Sequence, residues 1–103
     1  MSLTLIMTWD IKENREKDYM EFVLREWIPA TNRLGLKTVS AWFTQYRKDE
    51  TVPMIRAEAL VDDVASVRKI LASSEWQYIH EQLLDYVENY KHKVVETTGE
   101  FKL

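Results

Sequence analysis

The hydrophobic period of this chain switches between two and about 3.6 in a fixed order, strand, helix, strand, strand, helix, strand, and few folds accommodate that order. From Leu3 to Ile11 the odd positions Leu3, Leu5, Met7, Trp9 and Ile11 are apolar, while Thr4, Thr8 and Asp10 hold even ones, which predicts a strand. From about Asn14, Tyr19, Phe22, Val23, Trp27, Ala30 and Leu34 recur at three or four, with Glu21 and Arg25 as an outward pair. That is a long helix. Pro29 removes the bond to the Arg25 carbonyl, so a kink or loosened turn is expected there, and Gly35 supplies a left-handed cap with Leu36 folding back.

Lys37 to Arg47 alternate again and are apolar on both faces, Lys48 to Thr51 form a hairpin-length connection, and Met54 to Val61 make a third strand. Asp62 or Asp63 caps a second helical region with a step at Ser73 and Ser74, where Ser74-Glu75-Trp76-Gln77 has the form of a capping box. Its longer part carries Trp76, Ile79, Leu83, Val87 and Tyr90 on one stripe, with Lys91 to Lys93 at the negative end of the dipole. Val94 to Phe101 complete the order as a fourth strand, with a bulge or bend at Gly99.

With 103 residues the chain makes one domain, 1–103. Right-handed crossovers and short connections turn βαββαβ into an α+β, ferredoxin-like fold: a four-stranded antiparallel sheet with two helices on one face. The helices cover one face only, and large apolar groups on both faces of the first two strands call for a second subunit. The expected assembly is a homodimer whose sheets close into a dimeric α/β barrel.

Two glycines leave no phosphate-cradling loop, and a net charge of −3 without a Lys/Arg run longer than two excludes nucleic acid as an expected partner. No cysteine means no disulfide, thiolate nucleophile or Cys-ligated metal. Residues 1–11 alternate as no signal peptide does, so a mature cytoplasmic protein with no membrane partner is expected.

The candidate chemistry is sparse. Arg56 and Glu58 share a face of a central strand, where Arg56 can hold a carboxylate or enolate and Glu58 can act as base; a structural ion pair or a wet strand end explains them equally well. His80 borders the apolar face of the second helix as a proton carrier or ligand, or as a histidine at the edge of a core. Trp9, Trp42, Tyr46 and Trp76 can clamp a flat aromatic ligand, as can Tyr78, although aromatics at these periods are more often core. Glu81, Asp85 and Glu88 recur at helical spacing and Glu88 with His92 has i,i+4 metal-pair spacing, but an acidic helix face is usually solvated and no metal site is expected.

The chain resembles the dimeric α/β-barrel superfamily, and within it the NIPSNAP-like proteins, through Ser74-Glu75-Trp76-Gln77 at the second helix, Pro29 late in the first, and the stretch from Gly35-Leu36 to Trp42-Phe43. Antibiotic-biosynthesis and quinol monooxygenases belong to the same superfamily, as do haem-degrading oxygenases. Ser73-x-x-Trp76-x-x-x-His80 is similar to the stretch ending in the haem-ligating histidine of the haem degraders, but Trp9 and Asp10 stand where those enzymes use Asn and Ile70 where they use Trp. The resemblance implies a small flat aromatic or phenolic ligand, and monooxygenase-like turnover with no cofactor. The alternative is a non-catalytic homodimer that binds a ligand or serves as a structural module.

Overall fold

A computed structural model describes residues 3–43 and 53–96. Strand β1 spans Leu3–Ile11; the first helical region follows as α1, Glu16–Phe22, a π-helical segment, Val23–Trp27, and α2, Ile28–Leu34. Then come β2, Lys37–Phe43, β3, Ile55–Val61, α3, Val64–Ala72, α4, Ser74–Leu83, and β4, Val87–Glu96. The four strands form one antiparallel sheet in the order β2-β3-β1-β4, the ferredoxin-like arrangement.

Each expected helix is divided. In the first, Pro29 has no N–H to give the Arg25 carbonyl, and the chain widens just before it: the Ile28 N–H reaches the Val23 carbonyl, one residue beyond helical reach. Thr31 Oγ1 donates toward the Trp27 and Ile28 carbonyls at 3.0 and 3.1 Å, satisfying acceptors that the irregular turn exposes. Gly35, at φ 96°, caps α2, and the Leu36 N–H returns to the Thr31 carbonyl while its side chain is fully buried. The second region breaks at Ser73, which caps α4 through its own hydroxyl, accepting from the Trp76 N–H at 3.1 Å. The cap is thus one residue before the Ser74 expected from the capping-box pattern. Asp63 caps α3 through the Ser66 N–H.

The C-terminal half of the predicted second helix is strand. Helix α4 ends at Leu83, with the Asp85 and Tyr86 N–H groups bonding the Gln82 and Leu83 carbonyls, and Val87 already pairs with Ile11. Val87 and Tyr90 continue the helical stripe by spacing alone; a turn of three residues places them on the sheet. Lys91 to Lys93 therefore lie on β4, away from the helix end. A bulge sets Asn89 and Tyr90 against Trp9, with Asn89 at φ 59°. Strand four is observed through Glu96, so Gly99 lies outside the described residues, as do Lys48 to Thr51 and the end of the expected second strand.

The odd positions of β1 and β3 make the core: Leu5, Met7, Ala57 and Ala59 are buried beneath helices that carry Phe22, Trp27, Val67, Ile70, Ile79 and Leu83. The even positions are Thr4, Ile6, Thr8 and Asp10 on β1 and Arg56, Glu58 and Leu60 on β3, so β1 is not apolar on both faces as expected. Asp10 is 8% exposed and holds the corner, accepting from the Met54 N–H at 2.8 Å and from Asn89 Nδ2 at 3.0 Å. No helix among the described residues is long and apolar enough to cross a membrane.

Candidate functional site

The sheet divides the expected site residues between its two sides. Trp9 points into the core from β1, 2% exposed, with its indole Nε1 donating to the Tyr19 hydroxyl at 2.9 Å. It meets Trp27 edge-on at 5.6 Å and stacks near Tyr90 at 5.8 Å. Tyr90 in turn receives His80 edge-to-face at 4.4 Å, and His80 stacks on Trp76 at 5.3 Å, one turn earlier on α4. The result is a continuous line of rings from the π-helical segment to α4, across the β1–β4 half of the sheet. His92 closes its outer end, its Nδ1 sharing a 3.1 Å hydrogen bond with the Tyr90 hydroxyl.

Within this line His80 is the unusual member. Its Nδ1 is buried and has no hydrogen-bond partner among the described residues. Burial holds its pKa below the ordinary histidine value, the charge of His92 pushes the same way, and Glu81 opposes both. The imidazole is therefore neutral at pH 7, an acceptor and donor rather than a cation. Burial pushes the Tyr90 phenol well up, so it remains a neutral donor. Burial also raises the pKa of Tyr19, against the lowering effect of its bond from Trp9.

Arg56 and Glu58 occupy the opposite face. Glu58 Oε2 accepts from both Nε and Nη2 of Arg56 at 3.0 Å, a structural ion pair along one strand, and the side chains are 48% and 21% exposed. Trp42 pairs with Arg56 across β2 and β3 in backbone register, and its side chain lies outside the described residues, as does Tyr46 altogether. The structure thus brings together Trp9, Trp76 and His80 and keeps Arg56 and Glu58 from them by the thickness of the sheet. Tyr78 is 64% exposed and accepts from Gln82, so it clamps nothing on the described chain.

The metal reading loses its geometry. Glu88 pairs with Asp10 and His92 with Met7, so the bulge puts the two on opposite faces of β4, and no group of three potential ligands occurs among the described residues. Sequence reasoning missed Tyr90 as a site residue and His92 as its partner because both were assigned to a helix. The signal available was Asn89, a residue that tolerates positive φ, between two runs that alternate separately. A groove of about 480 Å³ between α1 and α4, floored by the Phe22 and Tyr86 rings, has Tyr78 and Asp85 on its wall but none of Trp9, Trp76, His80, Arg56 and Glu58.

No protein-family model matches the chain, and no curated protein does. Solved structures do. An ethyl tert-butyl ether degradation (EthD) family protein from Bacillus halodurans matches with a TM-score of 0.75 and 16% identity, over 95% of this chain and 100% of that one. A NIPSNAP family protein from Agrobacterium tumefaciens gives 0.70 and 14%, over 96% and 88%. The chain has the ferredoxin-like fold of EthD and NIPSNAP proteins. SnoaB, a cofactor-independent oxygenase from Streptomyces nogalater, shares it with a TM-score of 0.68 and 13% identity, over 99% and 98%. A Bacteroides fragilis protein of the same fold, described as dimeric and of unknown function, matches with 0.63 and 10%, over 93% and 96%.

Proposed function

We propose that this protein binds a small, flat organic molecule against the ring line between α4 and the β1–β4 half of the sheet, and that His80 takes a proton from it. The observation that carries the proposal is the buried, unpartnered Nδ1 of His80 between Trp76 and Tyr90. A buried nitrogen without a partner costs about 1–3 kcal/mol, and a ligand hydroxyl seated there removes that cost. Trp76, Tyr90 and Trp9 supply aromatic surface, and the neutral imidazole supplies a base. For a phenolic ligand, removing the proton leaves an anion that can itself reduce oxygen, so turnover needs no cofactor; the oxygenase that shares this fold supports that choice.

Oxygen uptake with a panel of hydroquinones, anthrones and flavonols tests the reading, with ligand binding followed in parallel by tryptophan fluorescence. Uptake above the buffer blank is expected, and His80→Ala should lower it by about 10²-fold, the usual contribution of a positioned base. Binding without uptake leaves the ligand-binding module as the function. Neither binding nor uptake overturns both.

We further propose a cytoplasmic homodimer that closes over the open face of the sheet. Leu60, Thr4 and Val95 form one cross-strand row there, an apolar end beside Ile6, which is itself only 8% exposed. The dimeric relative of the same fold supports this assembly. Among the described side chains, Arg56, Glu58, Lys91 and Lys93 share the rest of this face.

A further inference from the structure

The C-terminal end of α2, the last residue of β3 and one side of α3 enclose a pocket of about 350 Å³. Val61 belongs to the helix-side row of β3, so the pocket lies on the covered side of the sheet, apart from the face assigned to the dimer. Neither His80 nor any other ring of the line described above borders it. Gly35, at φ 96°, ends α2 there and adds no side chain; a Cβ at that position would stand 3.9 Å from Ile70 Cδ1. Leu34, Val61 and Ile70 supply apolar lining, the last two already buried in the core.

The charged lining carries both signs. Ser66, Lys69 and Ile70 fall at i, i+3 and i+4 on α3 and so share one side of that helix. Arg33, from α2, is already balanced by Glu75, whose Oε2 accepts from its Nε at 3.2 Å and lies 3.2 Å from its Nη2. Lys69 and Asp62 are not balanced: they border the same pocket, yet neither forms an ion pair with the other or with any described residue.

We propose that this pocket binds a free α-amino acid with an apolar side chain. Its carboxylate meets Lys69, its ammonium meets Asp62, and its side chain rests on Leu34, Val61 and Ile70. A plain carboxylate gains from Lys69 but is repelled by Asp62, and a plain amine meets the reverse; a ligand with both charges gains from both. The volume lies at the small end of the usual range for ligand pockets, about 300–1,000 Å³, which suits a molecule of amino-acid size. The site stands apart from the His80 cleft and does not depend on the reading given for it.

The test is an amide-resolved NMR titration of the intact protein with L-leucine and L-phenylalanine, with three fragments of leucine as controls. Isocaproate lacks the ammonium, isopentylamine lacks the carboxylate, and glycine lacks the apolar side chain. Leucine or phenylalanine is expected to shift Gly35, Ser66 and Ile70 and to bind at least about threefold more tightly than each fragment. Lys69→Gln and Asp62→Asn, both at exposed positions, should each weaken that binding by about three- to fivefold. Isocaproate or isopentylamine binding as tightly as leucine overturns the assignment to a zwitterion, and glycine doing so overturns the apolar side chain. No shift with either amino acid, shifts centred on Trp76 and His80, or unchanged affinity in either variant overturns the site.

Discussion

The two faces of one sheet, built from alternate residues of the same strands, have different chemistry. On the helix side Leu5, Met7 and Ala59 are wholly enclosed and Trp9 nearly so, and among the described residues the buried nitrogens His80 Nδ1, Trp27 Nε1 and Arg15 Nε are left without a hydrogen-bond partner. On the open side, among the described residues, Thr8, Arg56, Glu58, Lys91 and Lys93 surround the enclosed aliphatic residue Ile6. Shape and ring contacts hold the first face, where a lost group leaves a void. Charge organises the second, where solvent replaces what is removed. In a single subunit, stability should therefore reside on the covered face rather than on the open one.

The largest expected effect tests that division directly. Trp9→Ala removes a buried indole from Trp27 and Tyr90 and strips the Tyr19 hydroxyl of its donor, and should cost about 3–5 kcal/mol by urea unfolding. Lys93→Ala on the exposed edge strand should stay within about 0.5 kcal/mol. Comparable losses in the two variants would erase the distinction between the faces.

A smaller effect sharpens it by pH. The His80 pKa is depressed in the folded protein, chiefly by burial and then by His92, with Glu81 opposing and the neutral Tyr90 packed on the ring. As pH falls below about 6.5 the unfolded chain takes a proton that the folded protein refuses, so stability is full above that value and declines until the folded group also titrates. His80→Gln should remove this part of the decline between pH 7.5 and 5.5. Equal slopes in the variant and the parent would show that the ring is hydrated rather than enclosed.

Much of this division was legible in the residues. Leu3 to Ile11 alternate with the one exception of Ile6, and that strand is one of the two inner strands of the sheet; Pro29 and Gly35 mark the two irregular points of the first helical region. The boundary after Leu83 was not legible, because Val87 and Tyr90 fall at helical spacing by coincidence and only pairing with β1 decides between helix and strand. The same coincidence hid the Tyr90–His92 bond. Grouping Arg56, Glu58 and His80 in one site failed for another reason: a strand's period assigns a residue to a face, but not the side on which the helices pack.

The smallest expected effect concerns the Arg56–Glu58 pair and links it to the proposed dimer. As two half-exposed to largely covered side chains sharing one carboxylate oxygen, they should show a coupling of about 0.2–1 kcal/mol in a double-mutant cycle of Arg56→Met and Glu58→Gln in the monomer. Closing a second sheet over the face withdraws both groups from water, where removing one partner leaves a charge stranded and the single variants become more damaging than the double. The coupling should therefore grow between nanomolar and micromolar protein, in step with sedimentation at about twice 12.3 kDa. A dimer whose coupling does not change with concentration would place the contact elsewhere than on this face. A chain that stays at 12.3 kDa throughout would leave the pair permanently open to solvent.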